Sequence, residues 1–190
     1  MHATICDILL DCFQNSVEAQ AKGIELTWAE DGSWLTVTVS DNGKGMSKET
    51  LAKVFDPWFT DGQKHKKRKV GLGLPFLKQA VDQTGGKLHI DSTLGVGTRL
   101  EFCVDRSNID LPPQGELVST LVSALLFEGS YELCFKRQFV ASSGEVIEYS
   151  WSKSELEEVL GNFNSLSALN LLKDYIQSQE DYINEYRKKE

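Results

Sequence analysis

Long apolar runs are missing from this chain. No stretch of its 190 residues approaches the ~20 consecutive apolar side chains that cross a bilayer, so no membrane association is expected. Basic charge is short as well. Lys and Arg number 20 against 28 Asp and Glu, which leaves a net charge of −8. A nucleic-acid partner calls for a basic surplus, and that class is set aside. The opening MHATICDILLDC has two acids and no basic n-region, so no secretory signal is read there and the expected location is the cytoplasm. Cysteine is sparse. Cys6, Cys12, Cys103 and Cys134 form no C-x-x-C pair and no disulfide framework, and they read as reduced thiols of the interior.

What is present is enough for a real core: 41% of the residues are hydrophobic. The length allows one ordinary domain plus an appendage, or two small ones. Residues 4–21 read as a helix with Ile5, Ile8, Leu9, Cys12 and Phe13 on one face and Asp7, Asp11, Asn15 and Glu18 on a second, polar stripe; Gly23 is its expected stop. Residues 24–29 and 34–40 alternate around Asp31-Gly32 as a hairpin. Ser47 is placed to cap a short helix over 48–55. Residues 56–69 have little periodicity, end in KHKKRK and are expected to form a mobile loop. A helix follows from Pro75 to the Gly85-Gly86 stop, then a second hairpin over 87–92 and 98–104. Pro112-Pro113 marks a linker. Beyond it come an apolar segment over 116–127 that reads as helix or strand, with helix favoured, a hairpin over 131–140 and 145–151, a short helix over 154–160 capped by Ser152 or Ser154, and a long amphipathic helix over 165–188. Its apolar stripe is read as Leu166, Leu169, Leu172, Tyr175 or Ile176, Ile183 and Tyr186.

The stretch VGLGLPFLKQAVDQTGG, from position 70, organises the chemistry. Gly71-Leu72-Gly73-Leu74 runs straight into an apolar-periodic helix. Glycines let the backbone approach a phosphate with no Cβ in the way, and free N–H groups at a helix start face an anion. Alone, such a loop is ordinary turn chemistry. Upstream stand Asp11-Cys12-Phe13-Gln14-Asn15 on a helix and Asp41-Asn42-Gly43-Lys44-Gly45-Met46 after a strand; downstream is Gly95-Val96-Gly97-Thr98.

In this order the motifs resemble the Bergerat (GHKL) ATP-binding superfamily of histidine kinases, type II topoisomerases, Hsp90 chaperones and MutL proteins. The likeness covers residues 5–104. Phe55-Asp56-Pro57-Trp58-Phe59-Thr60 with the later glycines is most similar to histidine kinases, whereas NSVEAQAKGIEL is closer to MutL. The resemblance implies ATP and Mg²⁺ as cofactors. Asp41 then accepts a hydrogen bond from the adenine amine, where guanine has a carbonyl; the plain alternative is an Asx-turn acceptor. Gly43, Gly45 and Met46 line the purine. Asn15 offers its side-chain oxygen to Mg²⁺. Gly71, Leu72, Gly73 and Leu74 approach the phosphates, and one or two of Lys64, Lys66, Lys67, Arg68 and Lys69 reach them. Thr98 places a hydroxyl near the adenine or is simply a strand-favouring residue.

Two departures matter. Histidine kinases usually carry Asn where Asp11 stands, and an acid there serves hydrolytic and serine-kinase members as general base. Asp11 is therefore either a base or the holder of a metal-bound water. Second, none of His2, His65 and His89 sits in a helical hairpin that would present it as phosphoryl acceptor. The expected fold is α+β: a two-layer sandwich of a mixed, mostly antiparallel sheet with helices on one face. Residues 1–105 form the ATP-binding domain, 106–115 a linker and 116–190 a small α+β domain. The Leu and Tyr stripes of that domain read as its own core or as a docking face for the first domain or a second subunit, so a homodimer stays open. Three functions compete: a kinase acting on a protein partner in trans, a slow ATPase, and an ATP-dependent switch that regulates a protein partner with little turnover.

Overall fold

The computed structural model describes residues 4–56 and 73–188. The elements run α1 (Ile5–Glu18), β1 (Gly23–Asp31), β2 (Trp34–Asp41), α2 (Lys48–Leu51), α3 (Gly73–Gln83), β3 (Lys87–Thr93), β4 (Gly97–Asp105), α4 (Leu117–Leu125), β5 (Glu132–Val140), β6 (Val146–Ser152), α5 (Lys153–Leu160) and α6 (Leu166–Arg187). Six strands form one sheet in the order β3-β4-β2-β1-β5-β6. Every neighbouring pair is antiparallel except β1 with β5. This is the mixed α+β sandwich expected from the sequence.

Local chemistry explains the ends of the elements. Thr4 and Asp7 form a reciprocal capping box at the start of α1. The stop of α1 is not Gly23, which opens β1. Instead Gln20 takes a left-handed φ of 61°, with Gln20 N–H donating to the Val17 carbonyl and Ala21 N–H to that of Ser16. That is the hydrogen-bond pattern of a Schellman turn with Gln in the position glycine favours. The same pattern closes α3, where Gly85 has a φ of 66° and Gly86 N–H donates to the Val81 carbonyl. Helix α3 begins at Gly73 rather than Pro75, which leaves Pro75 inside the first turn, where a missing N–H costs nothing. Ser47 caps α2 as expected, but that helix lasts four residues and gives way to turns after Leu51.

The core lies between the sheet and the helices. Ile24, Leu26 and Trp28 of β1, Leu35, Val37 and Val39 of β2, and Leu100, Phe102 and Val104 of β4 are buried in one cluster. So are Leu133 and Phe135 of β5, Leu121 of α4, and Leu172 and Ile176 of α6. The expected boundary at 106–115 is therefore not a break in packing. Strand β5 pairs with β1 along its whole length, from Gly23↔Glu132 to Asp31↔Val140, and residues on both sides of the supposed linker share one interior. On α6 the buried positions are Ala168, Leu172, Ile176, Glu180 and Ile183. Leu166 and Tyr175, which the periodicity places on the apolar stripe, are exposed.

The buried Glu180 has a reason. Arg137 of β5 is fully buried and donates from Nε to Glu180 (3.1 Å) and from Nη2 to Glu30 of β1 (2.7 Å). Glu30 also accepts from Trp28 Nε1 (3.1 Å), and it pairs with Arg106 (2.7 Å) and Arg187. Burial alone would raise the Glu30 carboxyl, but the three guanidiniums outweigh it and hold it below its ordinary value. Tyr149 donates to Glu180 at 2.6 Å. Burial, with Glu180 beside it, pushes this phenol far up, so it stays a donor. Charges from β1, β5, α6 and the residue after β4 thus meet in the interior.

Candidate functional site

Asp41 ends β2 directly opposite Thr98 of β4, and Thr98 in turn lies opposite Ser92 of β3. Side chains directly opposite on neighbouring antiparallel strands share a face with their Cβ atoms ~5 Å apart. The two residues expected at the adenine are therefore neighbours. The half-buried Asp41 carboxylate has two fixed donors: Ser16 Oγ to Oδ2 and Gly43 N–H to Oδ1, both at 2.8 Å. The second is the Asx-turn bond of the plainer reading. A carboxylate has ~four acceptor positions, so the Asx turn does not use up Asp41.

The loop after Asp41 is locked against three elements. Asn42 Oδ1 accepts from the Lys22 and Gly23 N–H groups at 2.8 and 2.9 Å. Lys44 N–H donates to the Ala19 carbonyl at 2.9 Å, and Gly95 N–H donates to that of Lys44 at 2.8 Å. Ser92 Oγ accepts from Met46 N–H at 2.8 Å and donates to the Gly97 carbonyl at 3.0 Å. Its one proton is then spent, so at the 2.9 Å contact between them Thr98 Oγ1 is the donor. Gly45 has a φ of 60°, and a Cβ there would fall 2.0 Å from the Thr93 carbonyl oxygen. A Cβ on Gly97 would fall 1.9 Å from that of Asp41. Both glycines are required by close backbone approach.

Asp11 and Asn15, one turn apart on α1, are half-buried. The start of α3 rests on Asp11: a Cβ on Gly73 would sit 2.9 Å from Asp11 Cβ and 3.1 Å from its Oδ2. The N-terminal end of α3, with its partial positive charge, is thereby brought to the polar stripe of α1. Leu74 is half-buried against the core. Cys12, between the two polar residues, has its thiol pushed up to about 12 by burial and by Asp11, so it is no nucleophile. Gly71, Leu72 and the basic residues Lys64, Lys66, Lys67, Arg68 and Lys69 lie outside the described residues.

The sequence reading missed Ser16 and Ser92. Ser16 is 3% exposed and joins α1 to Asp41. Its signal was available: it continues the Ile5, Ile8, Leu9, Cys12 face, so a hydroxyl there had to find a buried partner. Ser92 carried no such signal, because its role depends on the register of three strands. Among the described residues no group of three or more His, Cys, Asp or Glu could hold a metal. A cation at this site would rest on Asn15 and on ligand oxygens, as Mg²⁺ commonly does with phosphates.

The family profile described as "Histidine kinase-, DNA gyrase B-, and HSP90-like ATPase" matches residues 2–108, more than half of the chain. The chain belongs to this family. Among its curated relatives is the sensor histidine kinase ZraS of Escherichia coli O157:H7, 31% identical over 113 residues that cover 58% of this chain and 24% of that protein. The sensor protein RprX of Bacteroides fragilis (strain YCH46) is 33% identical over 106 residues, which cover 52% and 20%. Among solved structures, the nucleotide-free catalytic domain of histidine kinase ThkA is similar at 26% identity and a TM-score of 0.42, over 52% of this chain and 64% of that one. The chain spans about a quarter or less of the length of the curated relatives it matches. Residues 109–190 lie outside the family match. No described helix is long and apolar enough to cross a membrane.

Proposed function

We propose that this histidine-kinase-like ATPase domain binds ATP with Mg²⁺ and passes the γ-phosphate to a partner protein in trans or, slowly, to water. The observation that carries the reading is the hydrogen bond from Ser16 to Asp41, which joins the adenine-selecting strand end to the helix bearing Asp11 and Asn15. Asp41 accepts from the adenine amine, with Thr98 beside it. Gly43, Gly45 and Met46 give the purine a close backbone wall. Asn15 is the protein ligand of Mg²⁺, whose charge offsets that of the phosphates. Gly73 and Leu74 present the start of α3 to the phosphates, with Gly71 and Leu72 preceding them in the glycine-rich sequence, and positioning and charge neutralisation do most of the catalysis. Asp11 is the general base toward water or a hydroxyl.

Incubation with Mg²⁺ and γ-labelled ATP, with and without host lysate, tests this. Label on a protein supports transfer, and free phosphate alone supports hydrolysis. Asp11→Asn keeps the shape and removes the basicity. It is expected to bind Mg-ATP nearly as well and to lose about 10²- to 10⁴-fold in hydrolysis or in transfer to a hydroxyl. Transfer to a histidine survives in that variant, because a neutral imidazole nitrogen attacks without first losing a proton. The second reading is the ATP-dependent switch. It is favoured by the contacts of residues 113–131 with α1, where Ile5 and Cys6 N–H donate to the Pro113 and Gln114 carbonyls and Phe13 packs on Phe127 and Tyr131, and tight binding with no turnover by the wild type would select it.

A further inference from the structure

Helix α1 has two faces with different clients. One carries Asp11 and Asn15. The other is held at three points by residues beyond the family match. At its start, Ile5 and Cys6 N–H groups, which have no partner within the helix, donate to the Pro113 and Gln114 carbonyls at 2.9 Å each. Gly115 approaches so closely that a Cβ there would fall 2.6 Å from Thr4 Oγ1. At its middle, Phe13, 1% exposed, stacks on Phe127 at 5.7 Å between ring centroids and meets the edge of Tyr131 at 5.5 Å. Tyr131 itself is fixed by donating to the Ala124 carbonyl. At its end, Val17 packs under Gly129, whose Cβ position lies 3.3 Å from Val17 Cγ1.

A second path reaches the loop after Asp41. Glu132 N–H donates to the Lys22 carbonyl at 2.8 Å, while Lys22 N–H donates to Asn42 Oδ1 at 2.8 Å. The start of β5 therefore positions the peptide that holds the residue next to Asp41. Phe13 lies between Asp11 and Asn15 in one hydrogen-bonded helix, so the helix cannot shift at the phosphate side without shifting against Phe127 and Tyr131.

We infer that residues 113–132 are a regulatory element of the nucleotide site: their docking on α1 and the binding of Mg-ATP are thermodynamically linked. This rests on the ATP-binding reading above. Linkage is reciprocal. Nucleotide tightens the docking of 113–132, and anything that loosens that docking weakens nucleotide binding. A partner that pulls on this segment thereby controls the site without touching it.

Hydrogen exchange on the full chain, with and without Mg-ATP, is the first test. Amides in 124–133 are expected to exchange at least fivefold more slowly with nucleotide, although none of them is assigned to the site. Calorimetry on two folded variants is the second. Phe127→Leu is expected to bind Mg-ATP at least fivefold more weakly, within the range common for allosteric coupling. Phe139→Leu, a comparable loss in the separate small cluster with Ile147 and Ile183, is expected to bind as the wild type does. Nucleotide binding by the wild type without protection at 124–133, or equal affinity of the two variants, overturns the linkage and leaves the ATP-binding reading intact. A wild type that does not bind Mg-ATP overturns both.

Discussion

Glu30 and Asp41 are carboxylates at opposite ends of the β1–β2 hairpin, six residue pairs apart in register, or roughly 20 Å along the strands. Their surroundings differ in kind. Glu30 is fully buried and receives donors from Trp28, Arg137, Arg106 and Arg187, so its ~four acceptor positions are used up. Asp41 is half-buried and takes two donors from the described residues, Ser16 and Gly43. A saturated carboxylate holds elements together, whereas an oriented carboxylate with acceptor positions to spare can read a ligand. On the ATP-binding reading proposed above, the Glu30 end of the sheet belongs to stability and the Asp41 end to binding.

Removing Glu30 gives the largest expected effect. Glu30→Ala leaves three arginines near one another with Glu180 as their remaining buried counter-charge, and breaking a buried pair costs about 3–5 kcal/mol. For a chain of this size that lowers the melting temperature by about 6–20 °C. Nucleotide affinity of whatever remains folded is expected to stay within about twofold, because no site residue touches Glu30. A large affinity loss in the folded fraction would erase the division between the two ends.

Gly45→Ala attacks the other end. The left-handed backbone costs about 1–3 kcal/mol with a side chain, and the contact with the Thr93 carbonyl adds to it. The expected signature is a modest drop in melting temperature and a large loss of ATP affinity, the reverse of Glu30→Ala. Wild-type affinity in this variant would show that the loop does not need its close approach to the β3–β4 turn.

The acid limb of stability sharpens the Glu30 side. Its folded carboxyl titrates below the ordinary carboxylate value, so the unfolded chain takes up the proton first as pH falls. Stability from this group is complete above about pH 4.5 and is lost as pH falls through the folded value. Glu30→Gln is expected to show a shallower loss of melting temperature than the wild type as pH falls below about 4.5. Parallel curves would mean that other groups govern acid unfolding.

Much of this was legible in the residues themselves. Alternation, with Asp31-Gly32 in one turn and Gly95 and Gly97 in the other, located both early hairpins, and the second brought Thr98 beside Asp41 once β2 paired with β4. The place of β5 was not legible. Parallel pairing with β1 joins residues more than a hundred positions apart, and no local pattern encodes it. Pro112-Pro113 looked like a boundary because prolines punctuate chains, yet the Pro113 carbonyl caps α1. Glu30, Arg137 and Glu180 look like solvated charges one at a time, and only their convergence makes them interior. Gln20 hid the end of α1 because it occupies a conformation that glycine usually takes.

In the proposed function, Asp41 selects adenine. Calorimetry of ATP and GTP against wild type and Asp41→Asn tests it directly. The substitution replaces one acceptor oxygen by a donor facing the adenine amine, and the mismatch is expected to cost about 1–3 kcal/mol of ATP affinity, roughly 5- to 150-fold, with the protein still folded. Wild type is expected to prefer ATP to GTP, and the variant to lose most of that preference. Unchanged ATP affinity in folded Asp41→Asn, or no preference for ATP in the wild type, would rule out Asp41 as the adenine-reading carboxylate.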